Sequence, residues 1–119
     1  MSNESVAALQ EIADYLKDKS HITLVRIEGH VAAGEQDARA QVLSEKRAVA
    51  IANWLIQAGI DCSRLLPVGF GTNKPTALNQ TPEGRLANTR TEFHVAALRG
   101  KLIGGMPADG GGRAQSICN

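Results

Sequence analysis

Hydrophobic positions recur along this chain with two different periods, and the switches between them divide it into elements. In residues 22–28, Val25 and Ile27 alternate with Arg26 and Glu28, the two-residue period that predicts a half-buried strand. Farther on, Ala48, Ile51, Ala52 and Leu55 follow three- and four-residue spacing, which predicts an amphipathic helix over 45–58. Ser44 is placed to cap that helix, Glu45 suits the positive end of its dipole, and Gly59 is a natural stop. An earlier helix is predicted from the stripe Val6, Leu9, Ala13 and Leu16, with Ser2 or Asn3 as its cap and Lys17 and Lys19 at its end. Residues 64–69 read as a short strand in which Pro67, lacking an N–H, predicts an edge or irregular position. The last strand, 90–97, sets Thr91, Phe93 and Val95 on one face and Arg90, Glu92 and His94 on the other.

The connections follow from turn chemistry. Residues 59–63 are a turn, and 71–82 a surface loop rich in Thr, Asn and Pro. A short helical turn opened by Pro82 then leads to Asn88. Two strands joined by a helix of this length predict a right-handed parallel crossover. After Gly100 the chain becomes glycine-rich, with Gly104, Gly105 and a run at 110–112, so 100–119 is expected to be a mobile or loosely draped tail on a domain spanning 1–99. The pattern as a whole is α+β, three main strands with two helices on one face.

Composition narrows the function. A chain of 119 residues holds one core but not two. A formal net charge of +1 argues against nucleic acid, which needs a clustered basic surface, and Tyr15, Trp54, Phe70 and Phe93 make no stacking platform. No apolar run approaches the ~20 residues of a membrane span. Nor does the N-terminus resemble a signal peptide. Cys62 and Cys118 allow one disulfide without demanding it.

Candidate chemistry is sparse. Arg47 falls on the rim of the apolar stripe beside free backbone N–H groups, a place that suits an anionic ligand. His21, His30 and His94 are too scattered along the sequence to predict a metal site. No Ser/His/Asp, Cys/His or paired-carboxylate motif appears, so neither enzyme activity nor a cofactor is expected.

The motifs I-E-G-H at 27–30, L-S-x-x-R-A at 43–48, G-I-x-x-x-R-L-x-x-x-G-x-G at 59–71 and G-R-x-x-N-x-R-x-E-F at 84–93 resemble the OmpA C-terminal-like domain shared with Pal and MotB. The resemblance covers roughly residues 6–95 and implies a βαβαβ two-layer sandwich. It also implies non-catalytic attachment to peptidoglycan in the periplasm or at the outer membrane of the Gram-negative envelope. The family's first strand has no counterpart before the first helix, which leaves a sheet edge open to self-association or a protein partner.

In the family's site, an Asp after the first strand of this unit and the Arg of L-S-x-x-R-A grip the diaminopimelate of the stem peptide. Here the Arg is Arg47, whose guanidinium fork suits a carboxylate. The family's G-H-T-D reads Gly29, His30, Val31 and Ala32, so the carboxylate facing the ligand's ammonium is missing; Ala40 replaces a family Asn. Losing one charge-assisted bond costs about 1.5–3 kcal/mol. Glu35 and Asp37 lie in the same loop and are the candidates to restore it. Asn88 and Arg90 occupy the family's N-R-R-x-E motif with Thr89 in place of its first Arg; Arg90 is expected to pair with Glu92 or Glu28 across the sheet in preference to touching the ligand. Two functions follow: a peptidoglycan anchor weakened at Ala32, or a degenerate domain of the same fold serving protein–protein assembly.

Overall fold

Leu9, Ala13 and Leu16 bury one stripe of the first helix, α1 (Asn3–Asp18), and the same physics of alternating and helical burial shapes the rest of the chain. A computed structural model describes residues 3–31, 37–73, 89–103 and 112–118. After α1 come β1 (Ile22–His30), α2 (Asp37–Gln57), a 3-10 turn (Cys62–Arg64), β2 (Leu65–Gly69), β3 (Arg90–Leu98), β4 (Lys101–Leu102) and β5 (Arg113–Ala114). The strands form one mixed sheet in the order β4-β3-β1-β2-β5. The three main strands are those expected, with two short ones added at the edges.

β1 and β2 run parallel, Val25 opposite Leu65 and Gly29 opposite Gly69, as the crossover through α2 requires. β3 runs antiparallel to β1, with Glu28 opposite Glu92 and His30 opposite Arg90. The core lies between one face of the sheet and both helices: Val25, Ile27 and Leu65 pack with Ala13 and Leu16 of α1 and Ala48, Ala52 and Leu55 of α2. Arg64 ties the layers, its guanidinium donating to the carbonyls of Leu16 at 2.7 Å and Ile22 at 2.9 Å, so a cation closes the C-terminal end of α1.

α2 departs from expectation. It begins at Asp37, not 45, because Ala38, Arg39, Ala40 and Gln41 are good helix formers and the buried Ala40 extends the inward stripe one turn back. Ser44 is therefore an interior residue and not a cap. Its hydroxyl donates to the Gln41 carbonyl at 2.8 Å and accepts from the Gly71 N–H at 2.9 Å, fastening α2 to the end of β2. At the other end Gly59 (φ 106°) stops the helix as predicted, with Gly59 N–H donating to Ile56 and Ile60 N–H to Leu55.

The tail is also more structured than expected. β5 pairs with Val68 and Gly69 of β2, and Gln115 bonds the Pro67 carbonyl at 2.9 Å and Glu45 at 2.7 Å. Because a residue's N–H and C=O share one side of a strand, the N–H that Pro67 lacks faces β5 and takes no bond from β1. Cys118 is disulfide-bonded to Cys62 across a Cα–Cα distance of 5.5 Å. Residues 112–118 are thus a strap over the β2 edge. On the opposite edge β4 pairs only with Ala97 and Leu98, so among the described residues 91–95 of β3 have no strand beside them on the outer side.

Candidate functional site

Two sites emerge from the residues upward, one on α2 and one on the sheet face that the helices leave uncovered. On α2, Ala40, Ser44, Ala48 and Ala52 point at the sheet and are fully buried. Gln41 and Glu45 form the rim nearer β2: Gln41 donates to the Gly69 carbonyl at 2.6 Å. Helical spacing then puts Leu43 and Arg47 on the opposite rim. Arg47 is exposed and, among the described residues, makes no hydrogen bond or ion pair. The close approach of α2 to the sheet explains the glycines of the motifs. A Cβ on Gly29 would strike the Ser44 carbonyl oxygen, and one on Gly69 would lie 2.6 Å from Glu45 N. A groove of about 500 Å³ along the outer side of α2, between Arg39, Val42, Leu43 and Lys46, stops one residue short of Arg47.

Of the other residues singled out in the sequence, Ala32, Glu35 and Asn88 lie outside the described residues, as does the side chain of Asp37, which opens α2. Val31 is buried just past β1, its N–H donating to the Gly71 carbonyl at 2.8 Å. His30 is the last residue of β1 and not part of a loop; it is 1% exposed and stacked on Phe70 with ring centroids 5.2 Å apart. Arg90 is bonded to Glu92 through Nε, the pairing expected of it.

The second site was hidden in the sequence by distance along the chain. β1 carries Arg26, Glu28 and His30, and β3 carries Arg90, Glu92 and His94: the same R-x-E-x-H pattern twice, run in opposite directions with Glu opposite Glu. Both sets point away from the helices, since Val25, Ile27 and Gly29 point toward them. Within each strand the Arg Nε donates to its Glu Oε2, and the His Nε2 meets Glu Oε1, at 2.8 Å for His30–Glu28 and 2.9 Å for His94–Glu92. Across the strands the separations are 3.8 Å from His30 Nε2 to Glu92 Oε2 and 3.7 Å from His94 Nε2 to Glu28 Oε2.

Electrostatics follow from this crossing. Burial works to raise the Glu28 carboxyl, but hydrogen bonds from Arg26 and His30 and the charges of His94 and Arg26 outweigh it and hold it below its ordinary value. Glu92 behaves alike, with burial opposed by Arg90 and His94. Burial lowers His30 and the Arg90 charge adds to it, more than Glu28 and Glu92 compensate, so the ring is neutral. A carboxylate only accepts, so the His30 proton sits on Nε2 and Nδ1 is a buried acceptor without a partner among the described residues. One ligand atom each from Glu28, His30 and Glu92 lie within 4.8 Å of one another, a spacing that could hold a metal ion. Of the three scattered histidines, His30 and His94 are thus drawn into one network by antiparallel pairing, and the repeated pattern was the signal available for finding them.

Comparison with known proteins agrees with the fold. The sequence profile of the OmpA family matches residues 1–89. The chain is 37% identical over 98 residues to outer membrane porin F of Pseudomonas aeruginosa, covering 82% of this chain and 28% of the porin. In structure it is similar to the peptidoglycan-associated lipoprotein of Burkholderia pseudomallei (TM-score 0.71, 28% identity, 78% of each chain). It is also similar to a cell wall anchor of Pseudomonas aeruginosa (TM-score 0.70, 30% identity, 82% of this chain and 69% of that one). The chain spans less than a third of the length of the curated relatives it matches first.

Proposed function

The chain belongs to the OmpA family, and from that premise we propose that it is a non-catalytic peptidoglycan-binding module recognising the diaminopimelate end of a stem peptide. The observation that carries this reading is the placement of Arg47. Buried Ser44 locks α2 against Gly29 and Gly71, so an exposed guanidinium with no competing carboxylate among the described residues stands on the rim opposite β2. A ligand carboxylate would take both arms of the fork. Two solved relatives are named for association with peptidoglycan and for cell wall anchoring, which supports the same use here. With Ala32 at the family's Asp position, Glu35 or Asp37 would face the ligand's ammonium, and Val31 and Asn88 would border the site. The side chains of His30 and Arg90 instead point away from the helices and stand apart from Arg47. No helix among the described residues is long and apolar enough to cross a membrane; placement in the periplasm or at the outer membrane is part of this proposal.

The direct test is co-sedimentation with purified cell-wall sacculi. Sacculi carrying diaminopimelate should retain the chain, sacculi carrying lysine should not, and Arg47→Ala should abolish retention. Equal retention on both walls, or by the variant, overturns the assignment.

A second reading, self-association, is favoured by the outer side of β3, along which residues 91–95 have no strand partner among the described residues. An apolar groove of about 480 Å³ opens there between Ile12, Tyr15, Val25, Phe93 and Val95, with Tyr15 54% exposed. A second copy pairing antiparallel about Phe93 would set Glu92 opposite that copy's His94 and Thr91 opposite its Val95, a complementary register. Sedimentation equilibrium should then show a dimer that Val95→Lys disperses; a monomer at all concentrations removes this reading.

A further inference from the structure

The paired R-x-E-x-H strands offer more than a salt-bridge network. We infer that Glu28, His30, Glu92 and His94 form a binding site for a single divalent transition-metal ion, with zinc the best fit, on the sheet face away from the helices.

The donor set suits that ion. Two imidazole nitrogens and two carboxylate oxygens are all ligands that zinc accepts. The dimensions suit it as well. The four His–Glu separations are 2.8, 3.8, 2.9 and 3.7 Å. Each glutamate meets the two histidines through different oxygens. One ligand atom each from Glu28, His30 and Glu92 lie within 4.8 Å of one another. These three would contract toward the edge of about 3.3 Å of a tetrahedron with metal–ligand bonds of ~2.0 Å, with His94 turning in to complete the set. The local two-fold relation between the strands supplies the alternation: each histidine is near one oxygen of its own glutamate and one of its neighbour's.

The surroundings are built in the way metal ligands are supported. Arg26 and Arg90 each hold the Oε2 of the glutamate two residues along, fixing both carboxyl groups from outside. His30 is stacked on Phe70, which fixes its ring plane. One half of the cage is closed, with the Glu28 and His30 side chains 4% and 2% exposed, while Glu92 at 33% and His94 at 42% leave an entry path. The two guanidiniums also set a limit. They already neutralise the carboxylates, so a bound cation adds uncompensated charge, and the expected affinity is below that of a cage without arginines. His30 Nδ1, which has no partner among the described residues, would carry the ring proton once Nε2 turns to the metal.

Isothermal titration of zinc chloride into the chelator-treated, oxidised protein, carrying no purification tag, tests this. The expected result is one ion per chain, with affinity reduced more than about a hundredfold in His94→Ala and in Glu92→Gln. Both positions are partly exposed, so the variants should keep the circular-dichroism spectrum of the parent. A second readout is the long-range proton–nitrogen spectrum of the imidazoles, in which zinc should shift Nε2 of His30 and His94 and leave His21 unmoved. No stoichiometric heat, undiminished binding by His94→Ala, or a response confined to His21 would overturn the proposal.

Discussion

Glu28 and Glu92 stand directly opposite each other across β1 and β3, two carboxylates that stay ionised because each has its own arginine and its own histidine two residues away on the same strand. Like charges so placed would repel. The antiparallel register sets each histidine opposite the other strand's arginine and diagonal to its glutamate, so His30 stands 3.8 Å from Glu92 and His94 3.7 Å from Glu28.

This arrangement makes the metal-free protein sensitive to acid. The unfolded chain protonates His30 near 6.5, while the folded chain resists, so stability falls as pH drops through that value. The two glutamates, held below 4.5 when folded, add a second loss below that pH. Calorimetry from pH 8 to 4 should show the melting temperature declining from about 6.5 downward, with the upper part of the decline absent in His30→Gln. A flat profile to pH 5 would contradict the description of the ladder.

Gly29→Ala should be among the most damaging single substitutions. Its Cβ would meet the backbone carbonyl of Ser44, which cannot swing aside as a side chain would. A loss of at least about 1–3 kcal/mol in urea unfolding is expected, the usual cost of overpacking.

Arg64 reaches three carbonyls, those of Leu16, Lys19 and Ile22. Arg64→Met keeps the stem and removes the donors. The cost should be about 1.5–3 kcal/mol, accompanied by faster amide exchange in the last turn of α1.

The Cys62–Cys118 bond joins residues 56 apart in sequence. A loop of that length contributes up to about 4 kcal/mol in the chain-entropy description. The Cys62→Ser and Cys118→Ser double variant should lose a large part of that, and the amides of 113–115 should lose protection before those of β1. Unchanged protection there would show that β5 holds without the bond.

Much of this fold was legible in the sequence because burial dictated the residues directly. The parallel pairing of β1 and β2 and the Gly59 stop follow from periods and turn chemistry, whereas the antiparallel direction of β3 was not read from the sequence. What was not legible depended on contacts made far away. Ser44 looks like a cap until Gly71 supplies the second bond that makes it an interior fastener. In residues 37–44 the bulky Val42 and Leu43 line the outer side of α2 and only the small Ala40 and Ser44 are buried toward the sheet, so the inward stripe is faint in the sequence. His30 and His94 lie far apart along the chain and meet only through strand register. Cys62 and Cys118 could be paired only once β5 had drawn the tail along β2. Of the candidates proposed for wall binding, Arg47 is described and is exposed on α2, while Ala32, Glu35 and Asn88 fall outside the described residues.

The central claim is that Arg47 grips the carboxylate of a diaminopimelate stem peptide while the counter-charge for its ammonium is weakened at Ala32. Its most direct test is a nuclear magnetic resonance titration with a diaminopimelate-containing muropeptide, run on this chain and on Ala32→Asp. The account predicts shifts at Arg47 in both, saturating at a concentration roughly ten to a hundred and fifty times lower in Ala32→Asp, the worth of one charge-assisted bond. Absence of binding in both proteins, or binding that leaves Arg47 unmoved, would contradict it.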